Sequence, residues 1–231
     1  MQLQLYMWSG QREHYLSRHN FYVEQVKTKV FAQFHNLETD ADKYAEAEYA
    51  RLGSLQGDQN SDMSEIADIA RERSYDYFSM LSDLKLQMLL GGLAGLYHQW
   101  DKDLRDFIER ELTNYSEKGA VEKLVWKSPV EGVFYVLREF GWYLSACDFF
   151  PKIDACRLIV NVYKHGKGVS LNALEERYPE YIDTPFSRAE VPHFFDGHLS
   201  HEWLSVTDSQ VDEIAAAFSS FWKQFPERLY L

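Results

Sequence analysis

The stretch Pro151–Gly168, PKIDACRLIVNVYKHGKG, decides the fold. On a helix of about 100° per residue, Asp154, Arg157, Asn161, Lys164 and His165 fall within about 100° of arc. Ile153, Ala155, Cys156, Leu158, Ile159, Val160, Val162 and Tyr163 occupy the rest of the circumference. A helix apolar over most of its surface is buried on several sides, so this segment reads as the centre of a helical protein. Pro151 suits a first turn, where its missing N–H costs nothing.

Working outward, the chain reads as helix after helix. Residues 11–34 carry Tyr15, Phe21, Tyr22, Val26 and Val30 near helical spacing. Thr39 with Asp42 resembles a capping pair opening a second helix. GSLQGDQNSD, residues 53–62, is the clearest loop. A long helix follows from Ser61 or Ser64 to about Asn114, with Gly91, Gly92 and Gly95 marking a kink or a close backbone approach. Pro129–Phe140 and Ser170–Tyr178 read as shorter helices, and residues 182–206 as an ordered loop. Thr207 and Gln210 form a capping box before a last helix whose apolar face is Val211, Ile214, Ala215, Phe218, Phe221, Trp222 and Phe225. No strand pattern recurs. The expected class is therefore all-α: a multi-helix bundle with a long central helix and a C-terminal amphipathic helix. Residues 1–231 read as one helical domain, with 1–60 as a candidate N-terminal helical extension.

Six Trp, fifteen Tyr and fifteen Phe supply a large core. A net charge of −12 repels phosphate at long range, which disfavours broad nucleic-acid binding but leaves room for a local basic cleft. Cys147 and Cys156 read as buried small hydrophobes in a reducing, cytoplasmic setting. MQLQLYMWSG has neither the basic nor the apolar region of a signal peptide, and the longest apolar run, Met88–Leu96, is short of the ~20 residues of a membrane span. Gly-rich phosphate loops, nucleophile elbows, H-E-x-x-H and C-x-x-C pairs are all missing, and no cofactor is expected.

Two readings of the polar strip stand side by side. In one it is a solvated face whose Lys164 and His165 complement the negative helix C-terminus. In the other it lines a cleft. Arg157 and Lys164 bind an anion there, Asn161 orients it, and His165, whose unperturbed pKa suits work near neutrality, exchanges protons. Such a set supports phosphodiester cleavage without metal. His98, Asp101, Lys102 and Arg105 read as a charged outer face, from which His98 and Lys102 approach the strip in a bundle. His193, Asp196, His198 and His201 cluster in HFFDGHLSHEW at spacings that match no standard metal signature, so no metal site is assigned.

The segment RLIVNVYKHGKG, Arg157–Gly168, resembles the final core helix of HEPN-family proteins, and the stretch from Gly95 to Leu112 is similar in style to an earlier helix of that bundle. The resemblance implies a helical protein of prokaryotic toxin–antitoxin or phage-defence type. Many such proteins dimerise and cleave RNA without metal. Their motif is an Arg, usually followed by a polar residue such as Asn, then a His a few positions on. Asn161-Val-Tyr-Lys-His165 matches the second half, while Val160 stands where the Arg would be and Arg157 lies one turn earlier. The resemblance implies Arg157, Asn161 and His165 as catalytic residues, with Lys164, His98 and Lys102 binding an RNA substrate. The alternative is an inactive bundle that acts by binding a protein partner or a second copy of itself.

Overall fold

Thr207 begins the last helix as its composition demands. Its hydroxyl accepts from Gln210 N–H at 3.2 Å, and Gln210 Oε1 accepts from Thr207 N–H at 2.9 Å. Two of the orphan donors of the helix start are thereby satisfied. This computed structural model describes residues 2–55, 63–184 and 199–231. In chain order the elements are β1 (Gln4–Tyr6), α1 (Ser9–Lys29), a 3₁₀ turn (Phe31–Phe34), α2 (Leu37–Leu55), α3 (Met63–Leu112), α4 (Lys118–Trp126), α5 (Val130–Glu139), α6 (Phe150–His165), α7 (Val169–Arg177), α8 (Asp208–Gln224) and β2 (Arg228–Tyr230). The protein is an all-α bundle with a long helix, as its periodicity predicts. No helix among the described residues is long and apolar enough to cross a membrane.

Several local expectations need correction. α2 starts at Leu37, so Thr39 lies inside its first turn rather than capping it; Asn36 C=O already accepts from Asp40 N–H at 3.0 Å. α3 runs without a break through all three glycines. Gly95 is there for room: a methyl on it would stand 2.1 Å from the Tyr22 hydroxyl, which donates to Gly92 C=O at 2.9 Å. The helix α4 has no counterpart in the sequence pattern. Neither has the antiparallel pair β1–β2, which sets Leu5 opposite Leu229, because three-residue strands are too short to show a period.

The chain divides into two compact units, Met1–Glu24 with Leu90–Leu231, and Gln25–Leu89. In the larger unit α6 packs against α7 and α8. Its core is aromatic: Trp100 meets Phe218 and Phe221, each at 5.1 Å between centroids, and Tyr15 stacks on Trp222 at 4.4 Å. Lys152 adds a polar tie across that packing, with Nζ 2.8 Å from Glu213 Oε2 and 3.2 Å from the Tyr181 hydroxyl. In the smaller unit α2 packs on the first part of α3. The Tyr44 and Tyr77 rings stack at 4.4 Å, the Ser74 hydroxyl donates to Ala41 C=O at 2.8 Å, and Arg73 pairs with Glu48 at 2.6 Å.

His19 is the buried imidazole of α1, 4% exposed. Burial holds its pKa below the ordinary imidazole value, and Lys223 adds to this, while a hydrogen bond with Ala215 C=O opposes it. The folded protein then holds its proton less tightly than the unfolded chain. Below about pH 6.5 the unfolded state takes up the proton first, so stability falls with decreasing pH. Thermal melts at pH 7.5 and 5.5 are expected to show a smaller acid loss in His19→Gln than in the wild type. An equal loss in both proteins would rule His19 out as its source.

Candidate functional site

α6 is pre-set by Pro151 in its first turn and stopped by Gly166, whose φ of 71° lies in the left-handed region that favours glycine. Between them Ile153, Ala155, Cys156, Leu158, Ile159, Val160 and Val162 are buried. The five polar residues do share one side, but that side slopes from the interior out to solvent. Asp154 is buried, Arg157 is nearly so, Asn161 is half-buried, and Lys164 and His165 are exposed.

The inner end is a closed ion network. Asp154 Oδ1 accepts from Arg157 Nη2 at 2.7 Å and from Nε at 3.0 Å. Its other oxygen accepts from Arg177 Nη1 at 2.7 Å and from the Tyr178 hydroxyl at 3.0 Å. Arg157 turns its remaining arm to Glu131 on α5, with Nη1 2.7 Å from Oε1. Two guanidinium groups thus balance two carboxylates. A carboxylate with four donor contacts needs no further ligand, and the Arg157 side chain, 13% exposed, has little surface left to offer one. Burial, with Asp154 beside it, pushes the Tyr178 phenol up to about 12, so it stays protonated and donates. Tyr97 of α3 packs nearby at 7% exposure, and burial, then Asp101 and Cys156, raise its pKa.

The outer end is open. Asn161, Lys164 and His165 make no hydrogen bond or ion pair among the described residues. His201 lies near the helix stop, its ring 3.6 Å from where a methyl on Gly166 would be. His193, Asp196 and His198 lie outside the described residues, and among the described ones no group of three His, Cys, Asp or Glu is placed to hold a metal ion.

His98 and Lys102 are both exposed on α3, and the His98 ring meets that of Tyr97 at 5.6 Å between centroids. No hydrogen bond or ion pair joins either of them to Arg157 or His165 among the described residues. The outer-face reading of this stretch fails at Arg105, which is 7% exposed. Its Nε lies 2.9 Å from both Asp101 oxygens, and its Nη1 donates to Val125 C=O and, at 3.0 Å, to Ser128 C=O. Arg105 therefore closes the C-terminal end of α4, where helix carbonyls lack partners. Of the two cysteines, Cys156 is fully buried and its thiol is pushed up by burial, which leaves it unreactive. Cys147 is only half-buried, with Sγ 3.8 Å from Tyr143 C=O, so it is not the core hydrophobe that its neighbours in sequence suggest.

Glu131, Arg177 and Tyr178 complete the network. Sequence alone does not single them out, since each joins Asp154 or Arg157 only through tertiary packing. Comparison with known proteins adds no relative: no family model, no curated protein and no solved structure matches this chain.

Proposed function

We propose that this chain is a HEPN-like helical module of a prokaryotic defence or toxin–antitoxin type system that acts by binding a protein partner rather than by cutting RNA. The observation that carries this reading is the state of Arg157. Its charge is met by Asp154 at 2.7 Å and Glu131 at 2.7 Å, in a place nearly closed to water. A phosphate arriving there would have to displace a buried carboxylate, and breaking a buried pair costs several kcal/mol. The two acids also cancel the positive field that would stabilise a crowded phosphate. The net charge of −12 points the same way, because an acidic surface favours basic protein segments over RNA.

The second reading, metal-independent RNA cleavage, draws on the outer end of the strip, where Asn161, Lys164 and His165 meet solvent together. One assay separates the two. Purified protein is incubated with single-stranded and structured RNA in the presence of a chelator, beside His165→Ala and Arg157→Ala. The expected result is no cleavage above the His165→Ala background. Cleavage that disappears in His165→Ala while the helical circular-dichroism signal stays intact would overturn the binding reading and assign His165 as acid–base.

A further inference from the structure

In the smaller unit, α3 carries an apolar stripe that α2 leaves uncovered. The helical spacing that buries Ile66 and Ala70 and stacks Tyr77 on Tyr44 continues into Met80, Leu84 and Met88. Met80, Leu84 and Met88 are 61%, 45% and 36% exposed. Three large side chains four residues apart on one helix face form a contiguous patch rather than scattered exposure.

A row of acids runs along α3 up to the stripe, with Asp83 level with it and Asp76 one turn before Met80. At about 100° per residue, Glu65, Glu72, Asp76 and Asp83 fall within about 40° of arc, and the stripe begins about 60° away. All four are exposed, and none has an ion-pair partner among the described residues. No Lys or Arg of α3 falls in that row. An apolar stripe bordered on one side by unpaired carboxylates is complementary to a helix with the same layout and the opposite charge. Methionine suits such a surface, because its unbranched, polarisable side chain adapts to varied partners.

We propose that Met80, Leu84 and Met88 of α3, with Asp76 and Asp83 flanking them, form the docking surface for a basic amphipathic helix of another protein. This rests on the protein-binding reading above and says where the partner sits and what chemistry it carries. The bulky residues of the partner helix cover the stripe, and its Lys and Arg side chains lie along the acidic row.

The test uses the full chain and two synthetic amphipathic helical peptides, each long enough for about five turns, roughly eighteen residues. One has Leu on its apolar face and Lys on the other, and its counterpart carries Glu in place of Lys. The Leu/Lys peptide is expected to bind, and Met80→Ser/Leu84→Ser/Met88→Ser to weaken it about tenfold or more, because three apolar contacts are lost. Asp76→Lys/Asp83→Lys is expected to shift preference toward the Leu/Glu peptide, while Val169→Ser, at a site 86% exposed on α7, changes nothing. Since the stripe side chains are exposed, the triple variant keeps its fold, checked by circular dichroism.

Equal binding of the Leu/Lys peptide by the triple-serine variant would overturn the proposal, as would equal binding of the Leu/Glu peptide by the wild type. A wild type that sediments as a dimer and a triple variant that sediments as a monomer would also overturn it, by assigning the stripe to a second copy. Failure here is separable from failure of the wider reading, since His165-dependent RNA cleavage is measured in a different assay on a different residue.

Discussion

Asp154→Ala is expected to lower the free energy of unfolding by about 3–5 kcal/mol, the usual cost of removing one partner from a buried ion pair. For a chain of this length that corresponds to a fall of roughly 10 °C in Tm. The magnitude follows from what the carboxylate holds. Its side chain is 7% exposed and accepts from two arginines and a tyrosine. Without it Arg157 keeps Glu131 alone, and Glu131 is 55% exposed, so that pair is screened by water and replaces little of the loss. Arg177, at 46% exposure, rehydrates readily and adds little to the cost. The penalty therefore arises mainly from a nearly buried Arg157 left with half its partners. A double variant, Asp154→Ala/Arg157→Met, removes that unpaired charge and should recover part of the stability. Thermal unfolding followed by circular dichroism reads both. A loss below about 1 kcal/mol in Asp154→Ala would mean that the network is not a buried anchor, and Arg157 would again be available to a ligand.

The same residues show what is legible in the sequence and what is not. The capping box of Thr207 and Gln210 and the stop at Gly166 are local devices, each complete within a few residues, and the structure places them as their chemistry predicts. The apolar face of α8 is equally local: Val211, Ile214, Phe218, Phe221 and Trp222 are all buried. The polar strip of α6 is a different kind of feature. Its five residues share an arc, but periodicity carries no information about depth along that arc. Whether Arg157 faces a ligand or a carboxylate depends on Glu131 from α5 and on Arg177 and Tyr178 after a turn, 23 and 24 residues from Asp154. Arg105 repeats the lesson. Its neighbours His98 and Lys102 lie outside, yet its own guanidinium is drawn in by the unsatisfied carbonyls at the end of α4, a helix whose position the sequence pattern does not reveal. The strands β1 and β2 fall below the length at which a period of two can be read, so no pattern announces them.

The largest single loss from the core is expected at Phe221→Ala. Phe221 is fully buried on α8 and is ringed by aromatic neighbours, with centroids at 5.1 Å to Trp100, 5.1 Å to Trp142, 5.0 Å to Trp222, 5.8 Å to Phe225 and 6.0 Å to Phe149. Most of these meet it edge-to-face, the arrangement that ring quadrupoles favour. Rigid rings cannot collapse into the space a missing ring leaves, so the cavity term is fully felt and the loss should reach about 3–5 kcal/mol. Phe149 stands immediately before α6, so the cavity opens beside the helix that carries the polar strip, and hydrogen exchange there should rise with the loss of stability. Phe221→Leu, which keeps most of the volume, should cost distinctly less. Exposed aromatics set the contrast: Tyr143→Ser, at 59% exposure, is expected to stay within about 0.5 kcal/mol of the wild type. Because Trp142 shares the same cavity, Phe221→Ala and Trp142→Ala in one chain should deviate from additivity by about 0.5–3 kcal/mol. Denaturant unfolding measures each value. A Phe221→Ala loss near that of Tyr143→Ser would show that this aromatic cluster does not anchor the bundle.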